Sequence, residues 1–143
     1  MHRTHIILAA LAAATAAPAS AADIRHVSAG QGRPFSAATE VGGILYLSGQ
    51  IGTRPDGTLA EGFEAQSVQV MDNIAAVLKG EGLGMDDVFK CTVMLADMSR
   101  WPDFNRIYVR YFKPDRLPAR SALGANGLAM GAAVEVECMA QAR

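Results

Sequence analysis

The chain has 143 residues, half of them hydrophobic and 19% charged, with a formal net charge of −1. That length suits one domain, and the composition suits a packed core rather than a disordered chain. Without a basic excess, nucleic-acid binding by bulk electrostatics is disfavoured, since such binders usually carry a clustered Lys/Arg face.

The first residues differ in kind from the rest. His2, Arg3 and His5 open the chain, and Ile6 to Ala17 form an uncharged, alanine-rich apolar run. Pro18 then precedes Ala19-Ser20-Ala21, an A-x-A cleavage pattern. The run is shorter than the roughly 20 residues that span a bilayer. It reads as a secretory signal peptide over residues 1–21, leaving one domain over 22–143. Cleavage removes Arg3 and no acid, so the mature balance is 12 − 14 = −2. The expectation is an exported protein, periplasmic in a bacterium, with no membrane contact once the signal is removed.

Asp23 to Arg33 is polar and reads as an extended arm. Ala37 to Glu40 and Ile44 to Ser48 flank Val41-Gly42-Gly43 and read as a β-hairpin. Ser48-Gly49-Gln50-Ile51-Gly52 ends the second strand, with glycines that let backbone approach a ligand closely. Gly62 to Lys79 is the first helix: Phe63, Ser67, Val70, Met71, Ile74, Val77 and Leu78 form one mostly apolar stripe, and Gly80 stops it. Asp87 to Ala96 is the next strand, with Phe89, Cys91, Val93 and Leu95 expected on one face.

Asp97 or Ser99 can cap a second helix that carries Pro102 in its first turn and ends at Lys113-Pro114-Asp115. Its aromatic face (Trp101, Phe104, Tyr108, Tyr111, Phe112) reads as core. Two short extended segments close the chain, around Pro118 to Ala122 and Val134 to Met139. The order is β-β-α-β-α-β-β, an α+β layer with two helices on one face of a mixed sheet. The uncovered face makes a homo-oligomer the expectation.

Cys91 and Cys138 both lie in strand patterns and read as buried free thiols, with a bridge as the alternative that an oxidising compartment permits. After signal removal His26 is the one histidine, and no C-x-x-C or H-x-x-x-H spacing occurs, so no metal or other cofactor is expected. The same scarcity argues against a Ser/His/Asp or Cys/His nucleophile, and no phosphate-binding loop is present.

What remains is a cation and an acid fifteen residues apart (135 − 120), on the last two extended segments. Arg120 can hold a small carboxylate through two parallel hydrogen bonds. Glu135 can hold or deprotonate a water. Each also has a plainer reading, as a surface ion pair and as a strand-face carboxylate.

Ser48-Gly49-Gln50-Ile51, Asp72-Asn73, Asn105-Arg106-Ile107-Tyr108, Pro118-Ala119-Arg120-Ser121 and Val134-Glu135-Val136-Glu137 together resemble the RidA (YjgF) family in order and spacing, over nearly all of the chain from Ile24 onward. The resemblance implies a chorismate-mutase-like fold assembled as a homotrimer with sites between subunits. It implies cofactor-free hydrolysis of reactive 2-imino or enamine acids to 2-keto acids and ammonia. Arg120 would clamp the carboxylate and Glu135 position the water, with Ser48 and Asn105 as further pocket positions. Two positions depart from the family pattern. Phe35 stands where a tyrosine is common, and Ala122 where a cysteine is common. A module that binds a small carboxylate without turnover is the alternative, and a ribonuclease or chaperone-like role the third.

Overall fold

The computed structural model describes residues 23–142. The expected signal peptide and its cleavage site lie outside the described residues. Seven strands form one sheet in the order β1-β2-β3-β7-β5-β6, with β4 also paired to β7. The strands are β1 (Arg25–Ser28), β2 (Ser36–Val41), β3 (Ile44–Leu47), β4 (Gln50–Ile51), β5 (Val88–Leu95), β6 (Ala119–Gly124) and β7 (Val134–Gln141). The helices are α1 (Phe63–Gly80) and α2 (Trp101–Tyr108). β5 and β6 run parallel, joined across α2, and every other pairing is antiparallel. This is the expected α+β layer with two strands added. The polar arm contains β1, which pairs with β2, and the Ser-Gly-Gln-Ile stretch contains β4.

The core lies between the sheet and the helices. Val70, Met71, Ile74 and Leu78 of α1 meet Leu45, Cys91, Val93, Leu95, Val134 and Val136 from the sheet, all with essentially no exposure. Burying each such side chain contributes about 1.5–3 kcal/mol. The period-2 pattern of β7 places Val134, Val136, Cys138 and Ala140 inside. Glu135, Glu137 and Met139 therefore point to the other face, which no helix among the described residues covers.

Two local expectations are corrected, and one choice between expected alternatives is decided. Phe89 is 41% exposed instead of buried, because a register shift between Val88 and Lys90 turns Val88 inward and Phe89 out. The stop of α1 comes two residues after Gly80. Gly82, at φ 72°, lets its own N–H reach the Lys79 carbonyl and that of Leu83 reach the Leu78 carbonyl, which is a Schellman closure. Asp97, not Ser99, caps the turn leading into α2, its carboxylate accepting from the Ser99 N–H at 2.9 Å.

The largest correction concerns the cysteines. Cys91 and Cys138 form a disulfide and no cysteine among the described residues is free. They face each other directly in the antiparallel β5–β7 register, with Cα atoms 4.1 Å apart. The pairing follows from the sheet order: β7 enters between β3 and β5, which places two residues 47 apart in sequence side by side.

Candidate functional site

Arg120 lies on the edge strand β6, beside Cys91 of β5, and points to the helix side. Its guanidinium carbon sits 4.2 Å from the centre of the Trp101 ring and 4.6 Å from that of Tyr108. Such contacts contribute about 0.5–2 kcal/mol each. Among the described residues no carboxylate pairs with it. Burial holds its pKa below the usual arginine value, with Tyr108 opposing that shift. A partly desolvated cation that lacks an acid is a ready anion site.

The aromatic stripe of α2 thus does two things. Phe104 and Tyr108 fill the core as the sequence suggests, while Trp101 and Tyr108 also wall the arginine. Asn105 lies between them on the same helix face, one turn from each. The Asn105 Oδ1 and the Tyr108 hydroxyl are buried without a hydrogen-bond partner. Burial raises Tyr108 to about 12 against the opposing effect of Arg120, so its hydroxyl keeps its proton. Ala122, two residues along β6, faces the same side and packs against the core.

A second group forms around the Ser48-Gly49-Gln50 turn. The Ser48 hydroxyl donates to the Ser36 carbonyl at 2.7 Å; Phe35, the residue before Ser36, is a half-exposed ring. The Glu135 carboxylate lies against Gly49: a Cβ built on that glycine would stand 2.2 Å from Oε1. Burial, and secondly Glu137, raise the Glu135 pKa above the ordinary glutamate value. The turn is tied to α1 by Asn73, whose Nδ2 donates to the carbonyls of Ile51 at 3.0 Å and Thr53 at 2.9 Å. Sequence reasoning assigned Asn73 no role; an amide on the sheet-facing side of an amphipathic helix was the available signal.

One chain therefore brings Arg120, Asn105 and Ala122 together, with Trp101 and Tyr108, at the β6 edge. It brings Glu135 against the Ser48-Gly49-Gln50 turn, whose Ser48 hydroxyl binds the carbonyl of Ser36, the residue after Phe35. It does not unite the two groups. Arg120 faces the helices, whereas Glu135, opposite Met94 on β5 and Ile51 on β4, faces the other side of the sheet. Among the described residues no cluster of three or more His, Cys, Asp or Glu side chains could hold a metal ion.

Among the described residues, two helices on one face of a mixed sheet make a small α+β protein of the chorismate-mutase-like kind. Comparison with known proteins narrows this further. A family profile described as Endoribonuclease L-PSP matches residues 28–142. The chain belongs to that family, which is the RidA family of the sequence resemblance. A RutC family protein of Aquifex aeolicus is 40% identical over 109 residues, covering 75% of this chain and 87% of that one. A 2-iminobutanoate/2-iminopropanoate deaminase of Mus musculus is 38% identical over 109 residues, covering 75% and 80%. The crystal structure of RidA from an Antarctic Psychrobacter superposes with a TM-score of 0.74 at 35% identity, covering 78% of this chain and 91% of that one.

Proposed function

We propose that this protein hydrolyses small 2-imino acids to 2-keto acids and ammonia. The observation that carries this is Arg120: part-buried, stacked between Trp101 and Tyr108, and without an acidic partner among the described residues. A carboxylate bound there restores the charge balance through two parallel hydrogen bonds. It also fixes the neighbouring imine carbon, which is already electrophilic. Water held by Glu135 adds to that carbon as the carboxylate takes its proton. With the imine bound in its protonated form, that proton then passes to the carbinolamine nitrogen; as the C–N bond breaks, Glu135 takes the hydroxyl proton, so that ammonia leaves and the C=O bond forms. Positioned acid-base help of this kind supplies about 10²–10⁴-fold.

Because Arg120 and Glu135 face opposite sides of one sheet, the reading requires that neighbouring copies of the chain complete the site. A homotrimer packed through the uncovered sheet faces fits that requirement. That face carries Tyr46, Leu123 and Met139 beside Lys90, Thr92 and Glu137, with Tyr46 and Leu123 exposed. Support also comes from the deaminase names of relatives near 38% identity. The buried disulfide fits an oxidising compartment, and with the apolar leader it supports export to the periplasm.

The test is keto-acid release by residues 22–143 while an amino-acid oxidase generates 2-iminopropanoate in place. Wild type accelerates release over buffer and Arg120→Ala does not. Equal rates with and without protein would sink the reading. The second reading, carboxylate binding without turnover, is favoured by Phe35, which lacks the hydroxyl of the tyrosine common at that position in the family. It predicts that 2-keto acids raise the melting temperature while release stays at the buffer rate.

A further inference from the structure

Glu135 does not stand free on its strand. Its carboxylate occupies the space that a side chain at position 49 would take, with Oε1, Cδ and Cγ at 2.2, 3.1 and 3.3 Å from a Cβ built on Gly49. The backbone forming that notch is held from three directions. Ser48 binds β2 through its N–H to the Ala37 carbonyl and its hydroxyl to the Ser36 carbonyl. Gln50 donates its side-chain amide to the Ser48 carbonyl, and Asn73 holds the carbonyls of Ile51 and Thr53 from α1. Strand β7 is fixed as well, with β4 on one side of Glu135 and β5 on the other. Neither backbone can retreat, so crowding at position 49 must be relieved by the Glu135 side chain.

We propose that Gly49 is a positioning residue for the Glu135 carboxylate: its missing side chain forms the notch that fixes where the water-holding oxygen sits. The proposal rests on the deaminase reading for its kinetic consequence and on geometry alone for its structural one. Gly49 is not there for backbone freedom, since its φ lies outside the left-handed region where glycine is favoured. Gly52, three residues on, serves a different end. A Cβ there would stand 2.7 Å from the backbone Cα of Gln66, so that glycine lets α1 dock. At Gly49 every atom in the way belongs to the Glu135 side chain, its oxygen the nearest, so alanine displaces that side chain and not backbone.

Glycine 49 is tested with Gly49→Ala, Glu135→Ala and the double variant. In Gly49→Ala the expected result is a kcat lower by roughly ten- to a hundredfold, the scale of an ångström's misplacement, with KM little changed. The double variant should be no slower than Glu135→Ala, because position 49 acts only through that carboxylate. An NMR titration of Glu135 supplies the structural readout, with Glu137 as its titratable neighbour on that face and Lys90 farther along it, opposite Met139. In Gly49→Ala the carboxylate moves into solvent and titrates lower than in wild type. An unchanged titration with wild-type kcat overturns the proposal, as does additivity of the two substitutions. A fully active Glu135→Ala instead refutes the catalytic assignment of Glu135, while a moved titration would still establish the notch.

Discussion

Reduction of the Cys91–Cys138 bridge is the perturbation with the largest calculable effect on stability. It changes no packing volume beyond two hydrogens, so it avoids the cavity that a cysteine substitution would leave. The bridge closes a loop of 47 residues. Constraining a loop of that length in the unfolded chain is worth about 4 kcal/mol. For a domain of this size each kcal/mol moves the melting temperature by roughly 4 °C, so the reduced protein should melt about 15 °C lower. Both sulfurs are shielded, with Cys91 and Cys138 at 0% and 2% exposure. Reductant should therefore act slowly on the folded protein and quickly once it is opened. The assay is scanning calorimetry on oxidised protein and on protein refolded in reductant, with thiols counted in denaturant. Two free thiols in the unreduced protein would refute the pairing. Indistinguishable melting temperatures would refute the loop-entropy reasoning.

Further outcomes follow from the site. Arg120→Lys keeps the charge but loses the planar fork that stacks on Trp101 and Tyr108; kcat/KM should fall about tenfold or more, the equivalent of roughly 1.5–3 kcal/mol for a charged hydrogen bond, in the coupled oxidase assay. Glu135 acts as a base only when ionised, and its pKa is raised above 4.5. The acid limb of kcat should therefore lie above that pH, with activity present above the raised value and lost below it, and Glu135→Gln should abolish the limb. The fold favours protonated Glu135, so its contribution to stability is full below 4.5 and fades as pH rises through the raised value. Melting curves of Glu135→Gln against pH check this, and an identical pH dependence to wild type would refute it. Asn73→Ala removes both donors to the Ile51 and Thr53 carbonyls, at a cost of about 1–3 kcal/mol, and should lower both the melting temperature and kcat, whereas loss of stability alone would detach the turn from the chemistry.

What could be read from the chain was whatever depends on near neighbours. The stripe of α1 and the alternation of β7 follow from side-chain spacing, and both stand in the structure. Phe89 broke the alternation because a bulge adds a residue on one strand only, which no periodicity displays. The disulfide escaped because it depends on strand order, and β7 reaches its place between β3 and β5 from the far end of the sequence. The aromatic stripe of α2 reads as core and packs there, yet its second role depends on the position of β6. Nothing local to Trp101 says that an arginine nineteen residues later (120 − 101) will lie over its ring.

Strand order also accounts for how differently the two charged residues are held. Among the described residues β6 is an edge strand, paired to β5 alone. Arg120 therefore has aromatic rings against it and an open strand edge beside it, an arrangement through which a small anion can enter and leave. Glu135 sits on β7, between β4 and β5. Its backbone has no lateral freedom, and Gly49 gives its carboxylate one place to rest. A group that admits substrate gains from an open side, whereas a group that aims a water gains from immobility. For the proposed hydrolysis, an arginine at the edge and a glutamate in the interior of one sheet would meet both needs, and a second copy of the chain would have to bring the two together.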